Sequence, residues 1–190
     1  MKPNWNCNSP KKIGGFTLIE LLLALFIATL VVTSFAMLFD YGIRAAEFSG
    51  RVDETVGEAV QILNYITDEI AAASAVYDAQ DFYIHPDYRN TMGFVLKTPV
   101  GANNKYVFYS LRGSRLFRVA FHFSESDPAK ISFGSLQDGG VNAISDEIDN
   151  IDGSGLDLSK KLVHVQFESG IGNGGGSFGT RIYSKGAEDL

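Results

Sequence analysis

The chain has 190 residues, 45% hydrophobic and 20% charged, which suits one modest domain with an extension and excludes wholesale disorder. Its net charge of −6 is unevenly placed. Lys2, Lys11 and Lys12 precede Gly15 with no acid among them, which leaves 13 basic against 22 acidic residues, or −9, from Phe16 onward. So acidic a surface repels phosphate, and general nucleic-acid binding is not expected. Cys7, the only cysteine, also precedes Gly15, so the remainder can form neither an internal disulfide nor a cysteine-ligated zinc site.

The first element after the basic segment is Phe16–Phe39, 24 residues with a single charge, Glu20. As a helix it spans about 36 Å, sufficient for a hydrocarbon core of about 30 Å. The nearby cations lie on its amino-terminal side, and the next one is Arg44. The positive-inside rule therefore places residues 1–15 in the cytoplasm and sends the rest outward. Glu20 costs on the order of 3 kcal/mol at a helix centre and less near the interface, so it calls for a cationic partner.

Lys11-Lys12-Ile13-Gly14-Gly15 followed by Phe16-Thr17-Leu18-Ile19-Glu20-Leu21 resembles the processing site of type IV pilins, pseudopilins and their relatives. The resemblance implies a leader, residues 1–15, removed after Gly15 by a prepilin peptidase that also N-methylates Phe16. It further implies that Glu20 pairs with the Phe16 amine of a neighbouring subunit during assembly. A buried carboxylate is tolerable when a cation meets it. The competing readings are an ordinary signal anchor and a secretory signal cut near Ser34-Phe35-Ala36. Against the second, the apolar run continues through Phe39.

From Arg44 the pattern becomes amphipathic. Val52, Val56, Ala59, Leu63, Ile66, Ile70, Ala73 and Tyr77 recur every three or four residues, with Asp53, Glu54, Glu58, Asp68 and Glu69 opposite. The expected helix thus has a membrane or filament-core half at 16–39 and an amphipathic half at 40–77, the latter packed on the chain's own sheet. Residues 78–190 are expected to form an exported β-rich domain. Val107, Tyr109 and Leu111 alternate with Tyr106, Phe108 and Ser110, and Leu116–Phe123 alternates likewise. Gly113-Ser114 between them suits a two-residue type II′ turn. Further strands are expected at 162–168 and 178–183, with an edge from Tyr83 and 93–97. Residues 124–157 and 170–179 read as surface loops. The fold class is α+β: a long N-terminal helix, its first half transmembrane, on an antiparallel sheet, as in pilins.

Several short motifs suggest chemistry. Residues 170–175 satisfy G-x-G-x-x-G, but no βαβ unit surrounds them. Residues 175–179 satisfy G-x-S-x-G, but no histidine follows His164 to complete a triad. Glu147, Asp149, Asp152 and Asp157 share an acidic loop in which Asp149, Asp152 and Asp157 are the calcium candidates. The EF-hand register fails there, and the expectation is a solvated loop and no cofactor. His85, His122 and His164 form no catalytic constellation, and no enzyme activity is expected.

Tyr109-Ser-Leu111 followed by Leu116-Phe-Arg118 is similar to the Y-x-L … L-x-R hairpin of PilW-type minor pilins and minor pseudopilin J. Met37 stands where many major pilins carry proline, and a terminal cysteine pair is missing. The resemblance implies a minor pilin or pseudopilin that primes or tips a type IV pilus or a type II secretion pseudopilus. Its implied partners are other subunits, the prepilin peptidase and an inner-membrane assembly platform. The alternatives are a major fibre-forming pilin and a signal-anchored exported module acting alone.

Overall fold

The computed structural model describes residues 15–88, 90–125, 127–134, 139–169, 176–184 and 186. The chain divides into two units, 1–48 and 49–190. One helix, α1, runs Leu18–Ala72, and eleven strands follow it among the described residues. No proline occurs within α1, so nothing removes a ladder hydrogen bond over its length.

In the first unit every described residue is exposed. Leu18, Leu22, Phe26 and Phe35 are each more than half exposed, although they are among its most apolar side chains. By length and composition this part of α1 can cross a membrane.

In the second unit α1 buries Thr55, Ala59, Ile62, Ile66 and Ile70. The stripe is rotated slightly from the expected one, since Thr55 and Ile62 take the buried positions while Val56 is 43% exposed. Thr55 is tolerated there because its hydroxyl donates to the Arg51 carbonyl at 2.9 Å. The helix also ends earlier than expected. Tyr77 lies not on α1 but in β1 (Ala75–Asp78). Ser74 donates its N–H to the Lys97 carbonyl, which hands the chain from helix to sheet at a point carrying neither glycine nor proline.

A five-stranded antiparallel sheet has the order β1-β3-β4-β5-β7, with β3 at Phe94–Val100, β4 at Asn103–Arg112, β5 at Arg115–Phe123 and β7 at Gly140–Ser145. The 93–97 region is therefore an interior strand rather than an edge. Gly113 has φ +61° in the two-residue β4–β5 turn, whereas Ser114 does not have positive φ. That combination is the expected type II′ pattern. A second antiparallel sheet has β10 (Leu162–Ser169) at its centre, β11 (Gly176–Tyr183) on one side, and β8 (Ile148–Asn150) and β9 (Gly155–Asp157) on the other.

Residues 124–157 are thus not simply a loop. They contain β7, β8, β9 and a two-residue strand, β6 (Ser132–Phe133), paired in parallel with β2 (Tyr83–Ile84). The apolar anchors Ile131, Phe133, Ile148 and Ile151 are buried and outweigh the polar composition around them. Residues 176–179, read as loop, begin β11; 170–175 lie outside the described residues.

Two cores result, one on each face of the five-stranded sheet. The stripe on α1 meets Phe94, Leu96, Val107, Leu116, Val163 and Phe167 among others. On the opposite face an aromatic cluster contains Phe82, Tyr88, Tyr106, Phe108, Phe121 and Phe133. Phe133 sits among the rings of Phe82, Tyr106, Phe108, Phe121 and Phe123, at centroid separations of 5.0 to 6.4 Å, within the range of favourable aromatic pairing. This double cover explains why Tyr106 through Leu111 are all buried.

Candidate functional site

Gly15, Phe16 and Thr17 are exposed and non-helical, immediately before the first residue of α1. Phe16 is 84% exposed, so the Gly15–Phe16 bond lies in accessible backbone. Lys11 and Lys12 lie outside the described residues. Among the described residues no atom beyond its chain neighbours comes within 4 Å of where a Gly15 side chain would begin, so none of them demands glycine there.

Thr17 and Glu20 form a capping box. The Thr17 hydroxyl accepts the Glu20 N–H at 3.4 Å, and the Glu20 carboxylate accepts the Thr17 N–H at 2.9 Å. The same carboxylate oxygen, Oε2, accepts the Thr17 hydroxyl at 2.9 Å. The Thr17 carbonyl accepts from the Leu21 N–H, the first ladder bond of the helix. A carboxylate in the first turn also suits the positive end of the helix dipole. Glu20 is therefore held locally as well as being an acid in an apolar run. The T-x-x-E spacing announces this box in the sequence, but the reading of Glu20 as an intramembrane acid passed over it.

A second polar constellation lies inside residues 49–190, where the sequence had placed Glu69 on the solvent side of α1. The Glu69 side chain is only 14% exposed and pairs with Arg118, itself 10% exposed. Arg118 Nε donates to Oε2 at 2.8 Å, and its Nη2 donates to Oε1. The Tyr109 hydroxyl donates to Oε2 at 2.6 Å, and Lys105 Nζ approaches Oε1 at 3.4 Å. Tyr109 and Arg118 face each other across the β4–β5 hairpin. The two polar letters of the Y-x-L … L-x-R hairpin thus clamp one carboxylate of the helix. Burial pushes the Glu69 carboxyl up, but the Arg118 and Tyr109 hydrogen bonds and the Arg118 and Lys105 charges outweigh it and hold it below its ordinary value. Burial, then the Glu69 charge, pushes the Tyr109 hydroxyl up, so it remains a donor at all ordinary pH. The signal was an arginine at a strand position between Leu116 and Ala120 on the core face.

The remaining candidates do not assemble. Asp157 ends β9, and its carboxylate accepts from the Ser159 hydroxyl at 2.5 Å and from the Lys160 N–H, with Lys160 Nζ at 3.0 Å. The Ser159 and Lys160 hydrogen bonds lower its pKa to about 2. Asp149 lies exposed on β8 and Asp152 in the following turn. Among the described residues no group of three or more His, Cys, Asp or Glu is placed to hold a metal. His122 and His164 lie on β5 and β10, and His85 stands 3.3 Å from Asp87. Ser177 lies on β11 with its hydroxyl near Gln166, not at a strand-to-helix turn.

The family described as the prokaryotic N-terminal methylation motif matches residues 10–36. No curated protein and no solved structure matches the chain. With the long helix and antiparallel sheet, the motif supports a type IV pilin-like prepilin, a membrane-anchored precursor and structural subunit rather than a typical enzyme. It implies processing by prepilin peptidase and assembly with other pilin subunits.

Proposed function

We propose that the chain is cut after Gly15, N-methylated at Phe16, and built as a minor subunit into a type IV pilus or a type II secretion pseudopilus. Before assembly it spans the inner membrane once, with residues 1–15 in the cytoplasm and residues 49–190 in the periplasm or outside the cell. The observation that carries the reading is the methylation motif at the head of a helix whose apolar side chains between Leu18 and Phe48 are all exposed among the described residues. Such surface needs lipid or the same surface of neighbouring subunits.

The capping box suggests how Glu20 serves both states. Thr17 occupies Oε2 and leaves Oε1 without a partner among the described residues. That oxygen can accept the Phe16 amine of a neighbour without breaking the cap. The assembly platform of the inner membrane is the expected partner during insertion into the filament. The absence of a proline at Met37 and the Tyr109–Arg118 hairpin support a minor position.

Glu20→Ala with sheared-filament fractionation tests the reading. Loss of the subunit from filaments with its membrane level retained is expected. Full function of the Glu20→Ala protein without any filament would instead identify an anchored module acting alone. Filaments composed mainly of this chain would identify a major pilin.

A further inference from the structure

Within residues 49–190, α1 and β7 border an open cleft of about 570 Å³. Its helix wall includes Glu58, Ile62 and Tyr65, and its other wall is formed by Ala143–Ser145 of β7 with Asp146 and Glu147 just beyond the strand. A second hollow shares Glu58 and Glu147 and adds Arg51, Glu54 and Thr55, which extends the cleft along the helix.

The strand wall is an open edge. β7 ends the five-stranded order and pairs only with β5 among the described strands. Its outward N–H and C=O groups therefore lack a strand partner. Residues 140–145 carry no charge and no proline, the usual protections against strand addition. The one protection present is a bulge opposite Leu116/Phe117. Ile62 and Ile144 belong to or pack against the core, so the floor is apolar, and the rim is acidic. Asp146 holds Arg115 at 2.9 Å, whereas the carboxylates of Glu54, Glu58 and Glu147 have no partner among the described residues. Arg51 is the only cation among the described residues that line the two hollows.

We infer that this cleft docks an extended segment bearing lysine or arginine, contributed by a neighbouring filament subunit of different sequence, which adds as a strand to β7. The source of the segment rests on the filament-subunit reading above. An extended backbone is what an open edge can pair with, and alternate side chains then point into the cleft. The unpaired carboxylates select a basic segment. The net −9 of this chain from Phe16 onward disfavours a second copy as the occupant.

The test uses the full chain in detergent micelles with two capped hexapeptides, Lys-Val-Lys-Val-Lys-Val and Glu-Val-Glu-Val-Glu-Val, and reads amide hydrogen exchange. At a peptide concentration of about ten times Kd, the basic peptide is expected to slow exchange in 140–145 by about tenfold, and the acidic one not at all. The double variant Glu58→Lys with Glu147→Lys alters exposed side chains, so an unchanged melting temperature certifies its fold while the protection disappears. Equal protection by both peptides, protection confined to the β11 edge, or concentration-dependent protection without peptide overturns the inference.

In cells, reduced recovery of the double variant in sheared filaments supports it. Recovery equal to the unaltered chain overturns the cleft while leaving the filament reading intact. Absence of the unaltered chain from filaments removes the proposed source and overturns both.

Discussion

Two stretches of the same helix are both rich in apolar residues, yet they differ in what they do with them. Residues 18–48 bury none, whereas 55–70 bury Thr55, Ala59, Ile62, Ile66 and Ile70. The difference lies in periodicity rather than hydrophobicity. From Leu21 to Phe39 the first stretch carries no charge on any side, so no single sheet could satisfy it, and its partner must surround it. The second gathers Ala59, Ile62, Ile66 and Ile70 into one buried stripe and leaves polar residues such as Glu58, Gln61, Asn64 and Asp68 exposed beside it, so one sheet suffices. Polar anchoring differs as well. Glu20 is tied to its own first turn, whereas Glu69 is tied across to a hairpin far away in sequence.

This contrast predicts that damage to one region leaves the readout of the other unchanged. The largest effect is expected from Phe133→Ala, which empties the centre of the aromatic cluster and should cost about 4 kcal/mol. Chemical denaturation of the full chain in micelles would show this in residues 49–190, while recognition by the peptidase stays intact. Glu69→Gln should cost about 3 kcal/mol, because Arg118 is left buried without its counter-charge. Glu69→Leu combined with Arg118→Met should recover much of that loss.

The same pair sets a pH signature. Because the folded pKa of Glu69 is depressed, its contribution is fully present above the unfolded carboxyl value of about 4.3. It is lost as pH falls below that value through the folded one. Melting temperatures measured down this acid limb should fall less steeply in Glu69→Gln than in the unaltered chain. A smaller effect is expected from Thr17→Ala, about 1 kcal/mol and confined to the first turn. Hydrogen exchange should quicken at residues 18–20 and remain unchanged in 55–70.

Much of this architecture was legible from period and turn chemistry. The apolar helix, the β4–β5 hairpin with Gly113 at its turn, and the strands around Leu162 and Phe178 follow from local pattern. What escaped depended on distant partners. Residues 131–151 read as loop because their apolar anchors are single residues among polar ones. Ile131, Phe133 and Ile148 gain their burial only when the sheet and the aromatic cluster are already present. Tyr77 fitted the helical spacing, and only pairing with β3 draws it into a strand. Glu69 sat one position beside the core stripe, where only the opposing Tyr109 and Arg118 reveal its role. At the N-terminus the motif around Gly15, Phe16 and Glu20 was plain. The Thr17 cap was equally local and is the reason Glu20 is satisfied in part within its own chain.

The central claim is that the chain is a processed pilin-like subunit whose first residue is Phe16. Intact-mass measurement of the protein recovered from its native membrane or filament tests this most directly. The expected result is a chain beginning at Phe16, with one added methyl group on its amine. A chain still beginning at Met1, one cut after Ala36, or an unmethylated Phe16 would contradict it.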